Sequence, residues 1–326
     1  MFVLSKATTE PSNRIGGAPL ISIVITTSSV TRLPGLLKLI ESIEAQVYPH
    51  IEVICVVERA MGLAKLIDQR ALDMHHEMRV IYFGKTLGAN TARNIGISSA
   101  NGDIIAFVDD DAQLDPNWAG AIVRAYEDDK VVGITGPVIP LWEDASMSWW
   151  PSELEWVVGC SGWIDGVTKR RVRGVLGTNA SFRRNALAET RYNEQFGPKG
   201  HDQGERNEWN EIGEETELSL RVRDHTKGTI IFDPNVIVYH QVPRYKTGQR
   251  FVLQRAFQVG RTKRILSRNK RYDRADVLGP EARLLGRLLI RMVLPRKPIA
   301  KLSLQVKATL EIVLCVLAVA LGYTLA

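Results

Sequence analysis

The chain has 326 residues, 45% apolar and 24% charged, which is enough to bury a core without staples and too apolar for wholesale disorder. Near-average glycine and proline (26 and 14) exclude collagen-like and low-complexity chains; three widely spaced cysteines, Cys55, Cys160 and Cys315, exclude a disulfide scaffold and a four-cysteine zinc site and suit a reducing compartment. The net charge of +6 is unevenly held: residues 1–243 carry 24 Lys/Arg against 32 Asp/Glu and residues 244–326 carry 18 against 4, so the basic tail calls for an anionic partner, nucleic acid or a phospholipid surface.

Residues 1–19 are polar and read as a flexible leader, with no apolar run long enough for a signal peptide. ISIVIT (21–26), IEVICVV (51–57), MRVIYF (78–83) and DIIAFV (103–108) are short continuous apolar runs, the pattern of strands buried on both faces. Between and after them, residues 33–46, 61–73, 88–100 and 116–128 have helical spacing, and VVGITGPVI (131–139) reads as one further strand. Strands alternating with helices predict an α/β fold on a mostly parallel sheet, and ligands on such sheets bind beyond the carboxyl ends of the strands.

The fourth run ends at Asp109, Asp110 and Asp111. Three adjacent carboxylates repel one another unless a cation compensates; hard oxygens suit Mg²⁺ or Mn²⁺, while a solvated turn ahead of a helix would explain the same residues. Strand alternation lets Asp109 and Asp111 point together with Asp110 turned away. Gly213-Glu214-Glu215-Thr216-Glu217 opens a helix; acids favour helix N-termini through the macrodipole, and a carboxylate there could also serve as a general base. His240 ends the largely apolar run TIIFDPNVIVYH, where a lone histidine is more often a satisfied structural residue. Trp149, Trp150, Trp156 and Trp163 cluster in 148–163, suiting a lipid boundary, sugar stacking or a core. TKRRVR (168–173) suits an acceptor phosphate or a solvated hairpin, and the long polar stretch 197–215 is expected to order over bound donor.

These motifs carry a resemblance. ISIVIT, GANTARNIGISSANGDIIAFVDDDAQLDPNW, GTNASFRR (177–184) and GEETELSLR (213–221) occur in the order and spacing of family 2 glycosyltransferases of the GT-A (nucleotide-diphospho-sugar transferase) fold, over about residues 20–243. With VYH at 238–240 and an apolar C-terminus, the chain looks most like archaeal dolichyl-phosphate-sugar glycosyltransferases. The resemblance implies an inverting, metal-dependent transfer of a sugar, glucuronate being one candidate, from a nucleotide-sugar donor, UDP-linked by preference. The implied acceptor is lipid-linked and of the dolichyl phosphate type. Direct transfer to a polyprenyl phosphate and a silent nucleotide-sugar-binding scaffold are the alternatives.

The resemblance also implies roles. Asp111, Asp109 and His240 would hold Mn²⁺ or Mg²⁺; Thr26, Thr27, Glu58, Arg93, Asp109, Asp110 and Asn179 would line the nucleotide-sugar site; Glu215, with Glu214 as second choice, would be the catalytic base. Two departures stand out. Ile25-Thr26-Thr27-Ser28 replaces the family's Pro-Thr-Tyr-Asn, and Glu58-Arg59-Ala60-Met61 replaces its Asp-Asp-Gly-Ser.

Residues 244–307 are basic and amphipathic, with Arg283, Arg287 and Arg291 recurring at i+4, as in a helix lying in a lipid interface. Gln254-Arg255-Ala256-Phe257 lacks the tryptophan of the QxxRW element of processive synthases, which disfavours polymerisation. Residues 308–326 carry one charge, Glu311. As a helix they would cover about 28 Å, close to the hydrocarbon thickness of a bilayer. The expected domains are therefore 1–19, a catalytic 20–243, interfacial helices over 244–307 and a membrane segment over 308–326, with the catalytic body cytoplasmic and no nucleic-acid partner. Oligomeric state is not legible.

Overall fold

The computed structural model describes residues 2–3, 17–164, 168–194, 212–269, 271–293 and 302–326. By compactness the described residues fall into two units. One holds those of Met1–Pro137, Thr168–Asn210 and Glu214–Tyr239; the other holds those of Val138–Val167, Glu211–Gly213 and His240–Ala326.

The first unit is built on a nine-stranded sheet. Its strands are β1 (Phe2–Val3), β2 (Ile21–Thr27), β3 (Ile51–Glu58), β4 (Glu77–Phe83), β5 (Ile104–Phe107), β7 (Val131–Thr135), β9 (Arg170–Val172), β10 (Ala180–Arg183) and β11 (Thr229–Phe232). They lie in the order β1-β4-β3-β2-β5-β10-β7-β11-β9. The pairs β2–β3, β3–β4, β2–β5 and β7–β11 are parallel, whereas β10 runs antiparallel to both β5 and β7.

Period-two alternation explains the layering. Ile21, Ile23 and Ile25 of β2, with Val53, Cys55 and Val57 of β3, enter one core with helices α1 (Leu33–Glu44), α2 (Met61–Ala71) and α4 (Trp118–Ala125). Val24, Ile54 and Val56 point the other way, into a second core with α3 (Ala89–Ser99) and α5 (Glu214–Thr226). Helices thus cover both faces, which is why the central strands read as unbroken apolar runs.

The expected strand 131–139 is two strands, β7 and β8 (Val138–Trp142). Gly136-Pro137 separates them: proline has no N–H to give to a ladder, and Val138 N–H is taken instead by Ser161 Oγ at 2.8 Å. A short strand β6 (Ala112–Leu114) follows Asp111, and β12 (Val238–Val242) runs out of the first unit into the second. Asp115 N donates to Ile237 O within the first unit; Glu143 N donates to Val242 O within the second.

The second unit contains β8, the tryptophan segment and helices α6 (Gln249–Arg268), α7 (Arg274–Val293) and α8 (Leu302–Leu325). α6 and α8 meet at backbone distance. A Cβ on Gly260 would lie 2.0 Å from Val319 O, and one on Gly322 would lie 2.0 Å from Phe257 O, so glycine at both positions is what permits the crossing. Trp150, Leu154 and Val157 pack with Val252 and Ala256 of α6 and Ile312 and Cys315 of α8. The tryptophan segment therefore supports the C-terminal helices. Val306–Leu325 has a mean hydropathy of 2.1 and is long and apolar enough to cross a membrane, and only 22% of its apolar window is covered by the rest of the chain.

Candidate active site

The site lies in the first unit, where the carboxyl end of β5 meets the turn before β10. Ala180 of β10 stands opposite Phe107 of antiparallel β5, so Thr178, two residues before Ala180, comes beside Asp109, two residues after Phe107. Thr178 Oγ1 donates to Asp109 Oδ2 at 2.7 Å. Asp109 and Asp111 each offer one oxygen within 4.8 Å of the other, the arrangement expected of a pair that can share an ion. Asp110 turns inward and is buried. Burial pushes its carboxyl up to about 7, against the pull of Arg32, whose guanidinium lies 3.6 Å from Asp110 Oδ1.

Arg93 of α3 is the hub. It is buried, with NH1 3.2 Å from Glu215 Oε1 and 3.5 Å from Glu214 Oε1, NH2 3.7 Å from Asp109 Oδ1, and Cζ 5.2 Å above the Tyr192 ring. Burial alone would lower its pKa, but Glu215, Tyr192, Glu214 and Asp109 outweigh it and hold the charge. Glu215 stands at the first turn of α5, close against the main chain of Gly177: a Cβ there would fall 2.6 Å from Glu215 Oε1, so only glycine leaves the carboxylate its place. Burial and the neighbouring Glu214 raise the Glu215 pKa, and Arg93 opposes them. Glu217, the third acid of the motif, pairs with Arg221 of its own helix at 2.6 Å and is a local i,i+4 contact.

The remaining expected residues are placed as follows. Thr26 and Thr27 end β2, with Thr27 buried. The Glu58 carboxylate accepts from Leu87 N (2.7 Å) and Gly88 N (3.1 Å), fixing the loop that starts α3. Asn179 faces inward. Its Oδ1 accepts from Trp118 Nε1 at 3.0 Å, and its Nδ2 donates to Val236 O at 2.7 Å and Pro137 O at 3.3 Å, so the amide is occupied within the fold. His240, in the second unit, is buried with Nδ1 3.7 Å from Cys160 Sγ and Nε2 3.5 Å from Lys246 Nζ. Arg170 stacks on Phe232 at 5.4 Å and Lys169 pairs with Asp233 at 3.6 Å, so part of the basic run 168–173 is engaged along the sheet edge. Residues 197–211 of the expected ordering loop lie outside the described residues.

Sequence reasoning missed Arg32, Thr178 and Tyr192. Thr178 stands inside the quoted GTNASF motif and could have been flagged; Tyr192 comes from an irregular segment with no local signal.

Asp109 and Asp111 fit a divalent cation: two hard carboxylate oxygens converge beside a third, buried carboxyl, and such oxygens prefer Mg²⁺ and Mn²⁺.

Against known proteins, the family model described as "Glycosyl transferase family 2" matches residues 22–191. Glucosyl-dolichyl phosphate glucuronosyltransferase of Haloferax volcanii is 28% identical over 271 residues, covering 80% of this chain and 79% of that protein. The mannosyltransferase PcManGT of Pyrobaculum calidifontis, solved with GDP-Man and Mn²⁺, superposes with a TM-score of 0.63 at 16% identity, covering 94% of this chain and 87% of that one. TarS 1–349 of S. aureus, solved with UDP-GlcNAc, gives 0.54 at 13% identity, covering 92% and 81%. These likenesses show the GT-A fold.

Proposed function

Because the chain belongs to glycosyl transferase family 2, and so is a glycosyltransferase, we propose that it moves one sugar from a UDP-linked donor to a lipid-linked acceptor of the dolichyl phosphate type, with inversion at the anomeric carbon. The donor sugar is a uronate in this reading, and the membrane face is the cytoplasmic one. The observation that carries it is the junction at Arg93, which holds a carboxylate suited to proton removal, Glu215, beside the carboxylate end that suits a cation and a diphosphate, Asp109.

In this reading Asp109 and Asp111 would supply one ligand atom each to Mn²⁺ or Mg²⁺. A cation held there would supply neutralising charge for the leaving nucleoside diphosphate. Glu215 takes the proton of the acceptor hydroxyl; its raised pKa makes it a stronger base than an exposed carboxylate once it is ionised. Glu214 stays beside Arg93 as a second negative charge. Thr178 fixes the rotamer of Asp109. Thr26, Thr27 and Glu58, at the ends of β2 and β3, border the nucleoside. The lipid acceptor is supported by the uncovered apolar helix Val306–Leu325 and by the named activity of the Haloferax relative. The solved neighbours carry GDP- and UDP-sugars alike, so the base preference rests on the sequence resemblance.

The test is a panel of UDP- and GDP-linked hexoses and uronates offered with glycosyl-dolichyl phosphate and with dolichyl phosphate, the lipid product being read by mass. The expected product is glycosyl-dolichyl phosphate enlarged by one uronate. Mass gain on bare dolichyl phosphate alone would overturn the acceptor, and gain from a GDP donor alone would overturn the base.

A further inference from the structure

We infer that Arg32 is a rival cation for Asp111: the guanidinium and a divalent ion contend for one carboxylate, and an anionic donor that draws the guanidinium away couples metal binding to donor binding. The inference rests on the reading of Asp109 and Asp111 as metal ligands.

Arg32 NH1 donates to Asp111 Oδ2 at 2.8 Å, a charge-assisted bond, and stands 3.6 Å from Asp110 Oδ1. The exposures are unequal. The Asp111 and Asp110 side chains are 13% and 12% exposed and the Arg32 side chain 40%. The carboxylates are held in the fold, whereas the guanidinium is partly in water and stays solvated when it changes partner. Its backbone, by contrast, is pinned. Arg32 closes a short turn, Val30–Arg32, whose start is capped by Ser29 accepting from Thr31 N at 3.3 Å. Directly after it, α1 presses on the acidic turn so closely that a Cβ on Gly35 would lie 3.0 Å from Asp110 O. A fixed backbone under a movable cationic head is the arrangement that lets one residue serve two anions, first Asp111 and then a diphosphate.

The charge argument gives the sign. A divalent ion entering beside Asp111 loses one oxygen to the guanidinium and meets a like charge a few ångströms away, which, with the Arg32 head partly in water, weakens binding on the order of threefold to tenfold. When a nucleoside diphosphate is present, the guanidinium has a second anion to bind and the penalty is relieved. Metal and nucleotide then strengthen each other, and by linkage the same factor appears in both affinities.

The experiment measures Mn²⁺ binding by titration calorimetry and by Mn²⁺ electron paramagnetic resonance on the full chain in detergent, with and without UDP. It compares the wild type with Arg32→Gln and Arg32→Lys. The expected result is that Arg32→Gln binds Mn²⁺ alone about threefold to tenfold more tightly. The factor by which Mn²⁺ improves UDP affinity should shrink correspondingly. Arg32→Lys, which keeps the charge without the fork, should fall between the two. If wild type binds Mn²⁺ but Arg32→Gln binds it equally or more weakly, the rivalry is overturned while the metal reading stands. If wild type neither binds Mn²⁺ nor gains UDP affinity from it, both are overturned. Matching melting temperatures for the three proteins show that a changed affinity reflects the site and not folding.

Discussion

Arg93 and Glu215 meet at 3.2 Å, NH1 to Oε1, so a buried guanidinium on α3 faces the first turn of α5. The same guanidinium reaches Asp109 at 3.7 Å, so among the described residues Arg93 is the cation that pairs with both carboxylates. Removing it leaves buried Glu214, largely covered Glu215 and the more exposed Asp109 without their shared cation. Breaking such a buried pair from one side costs about 3–5 kcal/mol. Arg93→Ala should lower the denaturation midpoint by that order. Arg93→Lys should recover only part, because one ammonium cannot span three partners.

Glu215→Gln tests the base. The amide keeps the volume beside Gly177 but cannot accept a proton, so turnover should fall about 10²–10⁴-fold with UDP affinity nearly unchanged. Near-normal turnover would remove Glu215 from that role and point to Glu214.

The pH dependence follows from the same pair. Burial, then Glu214, raise the Glu215 pKa, and a base works only when ionised. Turnover should therefore rise with pH along a limb above the ordinary carboxylate range, and the limb should vanish in Glu215→Gln. Arg93 pulls this pKa down, so Arg93→Lys, with its charge less well placed, should move the limb to higher pH. The stability sign runs the other way: the folded state holds this proton more tightly than the unfolded chain. The contribution is full below the unfolded pKa and is lost as pH climbs through the folded one.

How much of this was legible in the sequence depends on the range of each contact. The DDD turn and the acidic start of α5 were visible because each is a local pattern at the end of a strand or the start of a helix, and Arg93 through the family resemblance of its motif. The central strands were visible because two-sided burial leaves unbroken apolar runs. What escaped depends on register and on distant segments. Thr178 reaches Asp109 only because Ala180 stands opposite Phe107, and Tyr192 reaches Arg93 from an irregular stretch 99 residues away. The reading of 131–139 as one strand failed at Gly136-Pro137, where an apolar pattern continues but the hydrogen-bond ladder cannot. Asn179 stands out in the sequence through its motif, and in the fold its amide ties Trp118 of α4 to the chain at Val236.

Asn179→Ala separates those two readings. It would orphan the Trp118 N–H and take the Asn179 donor from the Val236 carbonyl, while Pro137 O keeps its bond from Val238 N. Unmade buried bonds cost about 1–3 kcal/mol each, so a fall of several kcal/mol in stability is expected, with UDP-sugar affinity of the folded fraction unchanged. A stable variant with weakened donor binding would instead restore the donor contact.

The C-terminal crossing offers a test within the second unit. Gly260 and Gly322 admit no side chain without moving Val319 or Phe257 backbone, and rigid backbone cannot yield as a flexible side chain would. Gly260→Leu should part α6 from α8 and uncover Val252, Ala256, Ile312 and Cys315. Overpacking of this kind costs about 1–3 kcal/mol or more. The expected readout is faster proteolysis within α6 in detergent and a lower melting temperature. Membrane retention after an alkaline carbonate wash should be kept, since the outward-facing Leu310, Leu317 and Leu321 are untouched. A variant that loses membrane retention would mean that the packed face of α8, and not its exposed leucines, carries that retention.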